Sequence, residues 1–105
     1  MKTILPTLKE RNRYLVYEIK NNKYNFNEIK QEMKKSILQF LGELEASKAN
    51  ILILEDFKEN KGIIKVSHKY VDKVKVALML IRNFIVETKY VSGTLKKARF
   101  KLIGG

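Results

Sequence analysis

Residues 91–99, Val-Ser-Gly-Thr-Leu-Lys-Lys-Ala-Arg, place three cations and no acid within five residues, directly after a hydroxyl- and glycine-bearing turn. Ser92 and Thr94 are residue types that cap helix starts, and a helix start presents backbone N–H groups and a dipole that favour phosphate. Gly93 permits close approach of the backbone. Lys96, Lys97 and Arg99 add positive charge, so this segment reads as a phosphate-binding surface. The plainer alternative is a capped, solvated helix whose Leu95, Ala98 and Leu102 pack inward. A second basic segment, residues 5–14, carries Lys9, Arg11 and Arg13 in alternation, which aligns them on one side of an extended chain. Pro6 stiffens its lead-in; here the alternative is a charged tail.

Other chemistry has little to stand on. The chain has no cysteine, which excludes disulfides, thiolate metal sites and cysteine nucleophiles. His68 is the single histidine and lacks metal-ligand spacing; it reads as a surface residue at a helix start. Glu55 and Asp56 are adjacent acids, but neighbours on a strand face opposite sides, which argues against a catalytic carboxylate pair. Phosphate-cradling glycine motifs and the nucleophile-elbow motif are absent. The expectation is a protein with no catalytic residues, no bound cofactor and no metal of its own.

Charge is the informative quantity. Lys and Arg total 22 against 11 acids, a net of +11 over 105 residues. Residues 1–13 hold Lys2, Lys9, Arg11 and Arg13 against Glu10, net +3, and residues 92–105 hold Lys96, Lys97, Arg99 and Lys101 with no acid, net +4. Such a field favours polyanions. Only four of the cations are Arg, and a Lys- and Glu-rich surface is also a thermophile habit, which accounts for many of the charges but not for their imbalance. The start lacks the apolar core of a signal peptide, and no run is long enough to span a bilayer, so a cytoplasmic protein without membrane association is expected. A basic membrane-surface helix ranks last, because the final segment offers only Leu95, Phe100, Leu102 and Ile103 as apolar residues.

The segment 13–20 is short, aromatic and β-branched and predicts a strand. Asn25 and Glu28 have capping-box spacing, followed by Phe26, Ile29, Met33, Ile37, Phe40, Leu41 and Leu44 at helical spacing. This predicts a helix of about 18 residues, broken by the segment 45–50. Residues 51–57 predict a second strand, apolar enough to be central or well covered, then a polar hairpin loop and a third strand at 63–67. Ser67 is positioned to cap a second helix with Val71, Val74, Leu78 and Ile81 as its stripe, running to about Asn83. A fourth strand at 84–91 and a short last helix complete the chain. The junction near 83–85 leaves almost no connection: either the helix ends a turn early or the chain carries fewer loop residues than the pattern requires.

The order β-α-β-β-α-β predicts one domain of α/β (α+β) class, spanning residues 1–105. Its architecture is a ferredoxin-like, RRM-like sandwich: a four-stranded antiparallel sheet, helices mainly on one face, and a short C-terminal helix. Residues 1–12 form its basic lead-in and 92–105 its basic C-terminal helix. Strands one and four then lie side by side, so the two basic segments emerge at one corner. Tyr14, Tyr17 and Tyr90 lie on these strands, but the third strand lacks the aromatic RNP1 pattern, so base stacking across the sheet is not expected.

The stretches LPTLKERNRYLVYEI (5–19), ILQFLGELEASKA (37–49), GIIKVSHKYVDKVKVALMLI (62–81) and VSGTLKKAR (91–99) resemble the archaeal ribonuclease P protein component 2 family along nearly the whole chain. The resemblance implies an α/β sandwich and a non-catalytic subunit of ribonuclease P, the RNA-based enzyme that removes the 5′ leader from precursor tRNA, with Mg²⁺ held by the RNA. The implied partners are the ribonuclease P RNA and protein component 3, with self-association within a heterotetramer and only indirect contact with precursor tRNA. Lys9, Arg11, Arg13, Ser92, Gly93, Thr94, Lys96, Lys97 and Arg99 are the expected RNA contacts, and the second helix, through Val71, Val74 and Leu78, is the expected protein-partner surface. The rival reading is a protein-interaction scaffold without RNA contact, its charge serving solubility.

Overall fold

Leu15, Tyr17 and Ile19 of the first strand enter one apolar cluster while Val16 enters another. A strand buried on both faces belongs inside a covered sheet, and that is where it lies. The computed structural model describes residues 11–103. Its elements are β1 (Asn12–Lys20), α1 (Phe26–Ala49), β2 (Leu52–Lys58), β3 (Lys61–Ser67), a 3₁₀ turn (His68–Tyr70), α2 (Val71–Met79), β4 (Ile85–Ser92) and α3 (Leu95–Leu102). The sheet order is β2-β3-β1-β4 with every neighbouring pair antiparallel. This is the expected α+β arrangement, consistent with a ferredoxin-like fold.

Two layers of side chains hold it. Ile29, Met33 and Ile37 of α1 and Val74, Ala77 and Leu78 of α2 cover one face. On the other face Ala98 and Leu102 of α3 close over Val16 and Ile63, with Tyr14, Tyr90, Leu54 and Leu95 at the margin. The small Ala98 lets the helix backbone come close to the sheet. An RNA-recognition motif stacks bases on sheet aromatics. Here α3 covers that face, and Tyr17 is buried in the other layer.

Several expectations change. The helix at 26–44 extends to Ala49, because residues 43–49 are strong helix formers and Ala49 is fully buried. Its break lies instead at Gly42, where φ 83 and ψ 163 are open only to glycine. Beyond the kink the apolar register is reset and Leu44 turns to solvent rather than the core; Phe40, just before it, is exposed as well. The expected N-terminus holds: Asn25 and Glu28 form a reciprocal capping box. β2 is an edge strand, not a central one; Ile53 and Phe57 serve the α1 layer and Leu54 the α3 layer, while Leu52 is exposed. The β2–β3 turn places Glu59 and Asn60 at φ 53 and 65, the doubly left-handed conformation of a tight hairpin. Ser67 is buried and makes no capping hydrogen bond to the turn after it. α2 stops at Met79, where Leu80 and Ile81 N–H groups tighten onto Ala77 and Leu78 carbonyls. Ending a turn early resolves the crowded junction.

Val71, Val74 and Leu78 do not form a surface. Val74 and Leu78 are buried in the core and Val71 packs against it. The exposed apolar side chains of this region are Val76, Met79 and Leu80. An i, i+3, i+4 stripe marks the face a helix turns to its own sheet, so these three positions were the core stripe.

Candidate nucleic-acid interface

The register Tyr14↔Ser92 joins the first residues of β1 to the last of β4. The two basic segments therefore meet at one corner, as far as they are described. Lys9 lies outside the described residues. Arg11 is exposed and its carbonyl accepts from the His68 N–H at 2.8 Å, which ties the start of the strand to the turn after β3. Arg13 pairs with Val66 of β3, so alternation gives it to the α1–α2 face. Its Nη1 donates to the Asn12 carbonyl at 3.2 Å, and a Cβ built on Gly93 would lie 3.8 Å from that same nitrogen. Arg13 and the 92–94 turn are neighbours across the end of the sheet.

The turn is built from its own hydroxyls. The Ser92 hydroxyl donates to the Thr94 carbonyl at 2.8 Å and accepts from the Thr94 N–H at 3.1 Å, and Ser92 is buried. The Thr94 hydroxyl accepts from the Lys97 N–H at 3.3 Å, an N-cap. The first helical bond runs from the Ala98 N–H to the Thr94 carbonyl at 3.2 Å. The hydroxyl oxygens are thus engaged in shaping the helix start, and the first-turn N–H groups of Leu95 and Lys96 are the ones without a helical partner.

The cations of α3 divide into two sets. The Arg99 Nε donates to an Asp56 carboxylate oxygen at 2.9 Å, and Lys101 lies 5.1 Å from the centre of the Tyr90 ring. Lys96 and Lys97 are exposed and make no ion pair among the described residues. The sequence alone ranked all three of Lys96, Lys97 and Arg99 together; the strand carrying Asp56 lies 43 residues away in the chain, and only the tertiary pairing separates them. Glu55, next to Asp56, turns the other way and accepts from Lys30 of α1 at 2.7 Å. The adjacent acids therefore hold edge strand β2 to a helix on each face, and they do not converge. Among the described residues no group of three or more His, Cys, Asp or Glu side chains is placed to hold a metal ion, and no helix is long and apolar enough to cross a membrane.

Sequence reasoning missed Phe100 and Ile103. Both follow Lys96 at i+4 and i+7, and both are exposed, at 60% and 68%. The amphipathic spacing was visible, but which face α3 turns to the sheet was not.

Comparison with known proteins gives this architecture a family. The Rpp14/Pop5 family model matches residues 13–103. "Ribonuclease P protein component 2" of Pyrococcus abyssi is 34% identical, covering 98% of this chain and 93% of its own length. The protein of the same name from Methanocaldococcus jannaschii is 35% identical, covering 99% of this chain and 81% of its own. That from Methanosarcina mazei is 31% identical over 98% of this chain and 93% of its own. With nearly every described element inside the matched span, this chain belongs to the Rpp14/Pop5 family.

Proposed function

We propose that this chain is a non-catalytic protein subunit of ribonuclease P, acting in 5′-leader removal from precursor tRNA. It binds the catalytic domain of the ribonuclease P RNA together with protein component 3. The observation that carries the RNA contact is the corner where Arg13 adjoins Gly93, while Lys96 and Lys97, without an ion pair among the described residues, project from the capped start of α3. Family membership and the full-length likeness to proteins named as ribonuclease P components support the assignment to this enzyme.

The mechanism is electrostatic. Lys9, Arg11, Arg13, Lys96 and Lys97 neutralise phosphates of the folded RNA, the first-turn N–H groups of α3 add donors, and Arg99 holds the helix in place through Asp56. Neutralisation lowers the repulsion between packed RNA helices, so the active RNA fold is reached at lower Mg²⁺. The protein itself takes no metal and no cofactor. Component 3 docks on the exposed apolar residues beside and beyond the core stripe of α2, namely Val76, Met79 and Leu80. Reconstitution tests the reading: adding this chain with component 3 to ribonuclease P RNA is expected to lower the Mg²⁺ needed for precursor-tRNA cleavage. An unchanged Mg²⁺ requirement, with both proteins folded, would leave the scaffold without RNA contact as the better account.

A further inference from the structure

The outer face of α3 carries more than charge. Lys96, Lys97, Arg99, Phe100 and Ile103 line an open groove of about 650 Å³ against Asp56 of β2. That is within the ~300–1,000 Å³ range of clefts that hold small ligands or parts of larger ones. Its floor is apolar, its rim is cationic, and Phe100 is 60% exposed within it. Asp56, the one acid on the rim, is already satisfied by the Arg99 guanidinium at 2.9 Å.

We infer that this groove takes one unpaired nucleotide of a single-stranded RNA segment, its base stacked on Phe100 and its phosphate held by Lys96. The inference rests on the RNA-binding reading above and deepens it. Residues four apart on a helix stand about 5–6 Å apart at their Cβ atoms, a spacing that lets one nucleotide reach from an ammonium to a ring. Stacking on an aromatic face is the usual way proteins hold unpaired bases, and it tolerates any sequence. A protein occupant would have to place an acidic side chain beside an apolar one to meet Lys96 and Phe100 together, whereas a single nucleotide carries both an anionic phosphate and a stacking face. A membrane occupant would want a broad apolar face, whereas Ala98 and Leu102 are turned into the sheet and only Phe100 and Ile103 remain outside.

The chain has no tryptophan, so Phe100→Trp places a single tryptophan in the groove, excited apart from the tyrosines. The probes are a short single-stranded oligoadenylate and a blunt RNA duplex, titrated against the full chain. Phe100→Ala is expected to weaken oligoadenylate binding roughly 5- to 150-fold, to leave duplex binding and the salt dependence as they are, and Phe100→Tyr is expected to retain affinity. Phe100→Trp fluorescence is expected to be quenched by oligoadenylate and not by the duplex. Phe100→Ala binding oligoadenylate like the parent chain overturns the inference, as does its losing anionic-vesicle flotation or component 3 capture while oligoadenylate affinity holds. If the duplex binds with its full salt dependence and Phe100 is indifferent, only the stacking site falls. If the parent chain binds neither RNA, the RNA reading falls with it.

Discussion

The Arg99 guanidinium meets the Asp56 carboxylate at 2.9 Å, across the face of the sheet that α3 covers. An exposed pair of this kind contributes at most about 1 kcal/mol to stability. Its larger effect is to fix the helix against the edge strand and to cancel one of the three charges that the sequence grouped together.

The cancellation is measurable through salt dependence. Lys96→Gln with Lys97→Gln is expected to flatten the slope of log affinity against log salt by roughly 1.4–1.8. Arg99→Gln should leave the slope nearly as it was, while Asp56→Asn should steepen it by up to about 0.9 by releasing the guanidinium to a phosphate. Filter binding of ribonuclease P RNA across a salt series checks all three. A loss from Arg99→Gln equal to that from either lysine would mean that the ion pair opens in the complex.

Gly42 is the kink point of α1. A side chain at φ 83 and ψ 163 is strained by about 1–3 kcal/mol, and nothing lies within 4 Å of a Cβ there, so strain is the whole effect. Gly42→Ala should therefore lower unfolding free energy by about that much in urea denaturation. A neutral result would mean that α1 straightens at low cost and re-aims Leu44.

Tyr17 and Gly62 are partners in the β1–β3 register, and a Cβ on Gly62 would collide with the Tyr17 hydroxyl and ring. That hydroxyl is buried without a hydrogen-bond partner among the described residues. Tyr17→Phe should be neutral or stabilising by up to about 1 kcal/mol. Gly62→Ala should cost about 1–3 kcal/mol, part of it recovered in the double variant. Burial also pushes the phenol well above its ordinary value of 10.0. The folded chain then holds this proton more tightly than the unfolded one, so the associated stability is complete below pH 10 and declines as pH rises beyond it. Tyr17→Phe should remove that share of the alkaline loss; an identical pH profile would contradict the burial.

Met79 and Leu80 are 73% and 56% exposed at the end of α2. Met79→Glu with Leu80→Glu should weaken capture of component 3 by tenfold or more while thermal unfolding stays within a few degrees. Unchanged capture would move the protein partner to another face.

The β-α-β-β-α-β order, the antiparallel sheet and the meeting of β1 with β4 were legible because strand and helix periods differ and because crossover connections restrict topology. The capping box of Asn25 and Glu28 was legible because it is local. What depended on three-dimensional placement was not. Gly42 broke a stripe that continued past it on paper, and β2 is an edge strand, paired only with β3, although its apolar residues serve both layers as those of an inner strand do. Val74 and Leu78 were part of the same stripe that defines the core. Arg99 was indistinguishable from its neighbours until Asp56 arrived from a distant strand.

The central claim is that Lys96 and Lys97 neutralise RNA phosphates and thereby ease the fold of the catalytic RNA. The most direct measurement is the Mg²⁺ midpoint of precursor-tRNA cleavage in the reconstituted enzyme, comparing the parent chain with the Lys96→Gln, Lys97→Gln variant. The account predicts a midpoint shifted to higher Mg²⁺, with the maximal rate recovered at saturation. A variant that matches the parent at every Mg²⁺ concentration would contradict it.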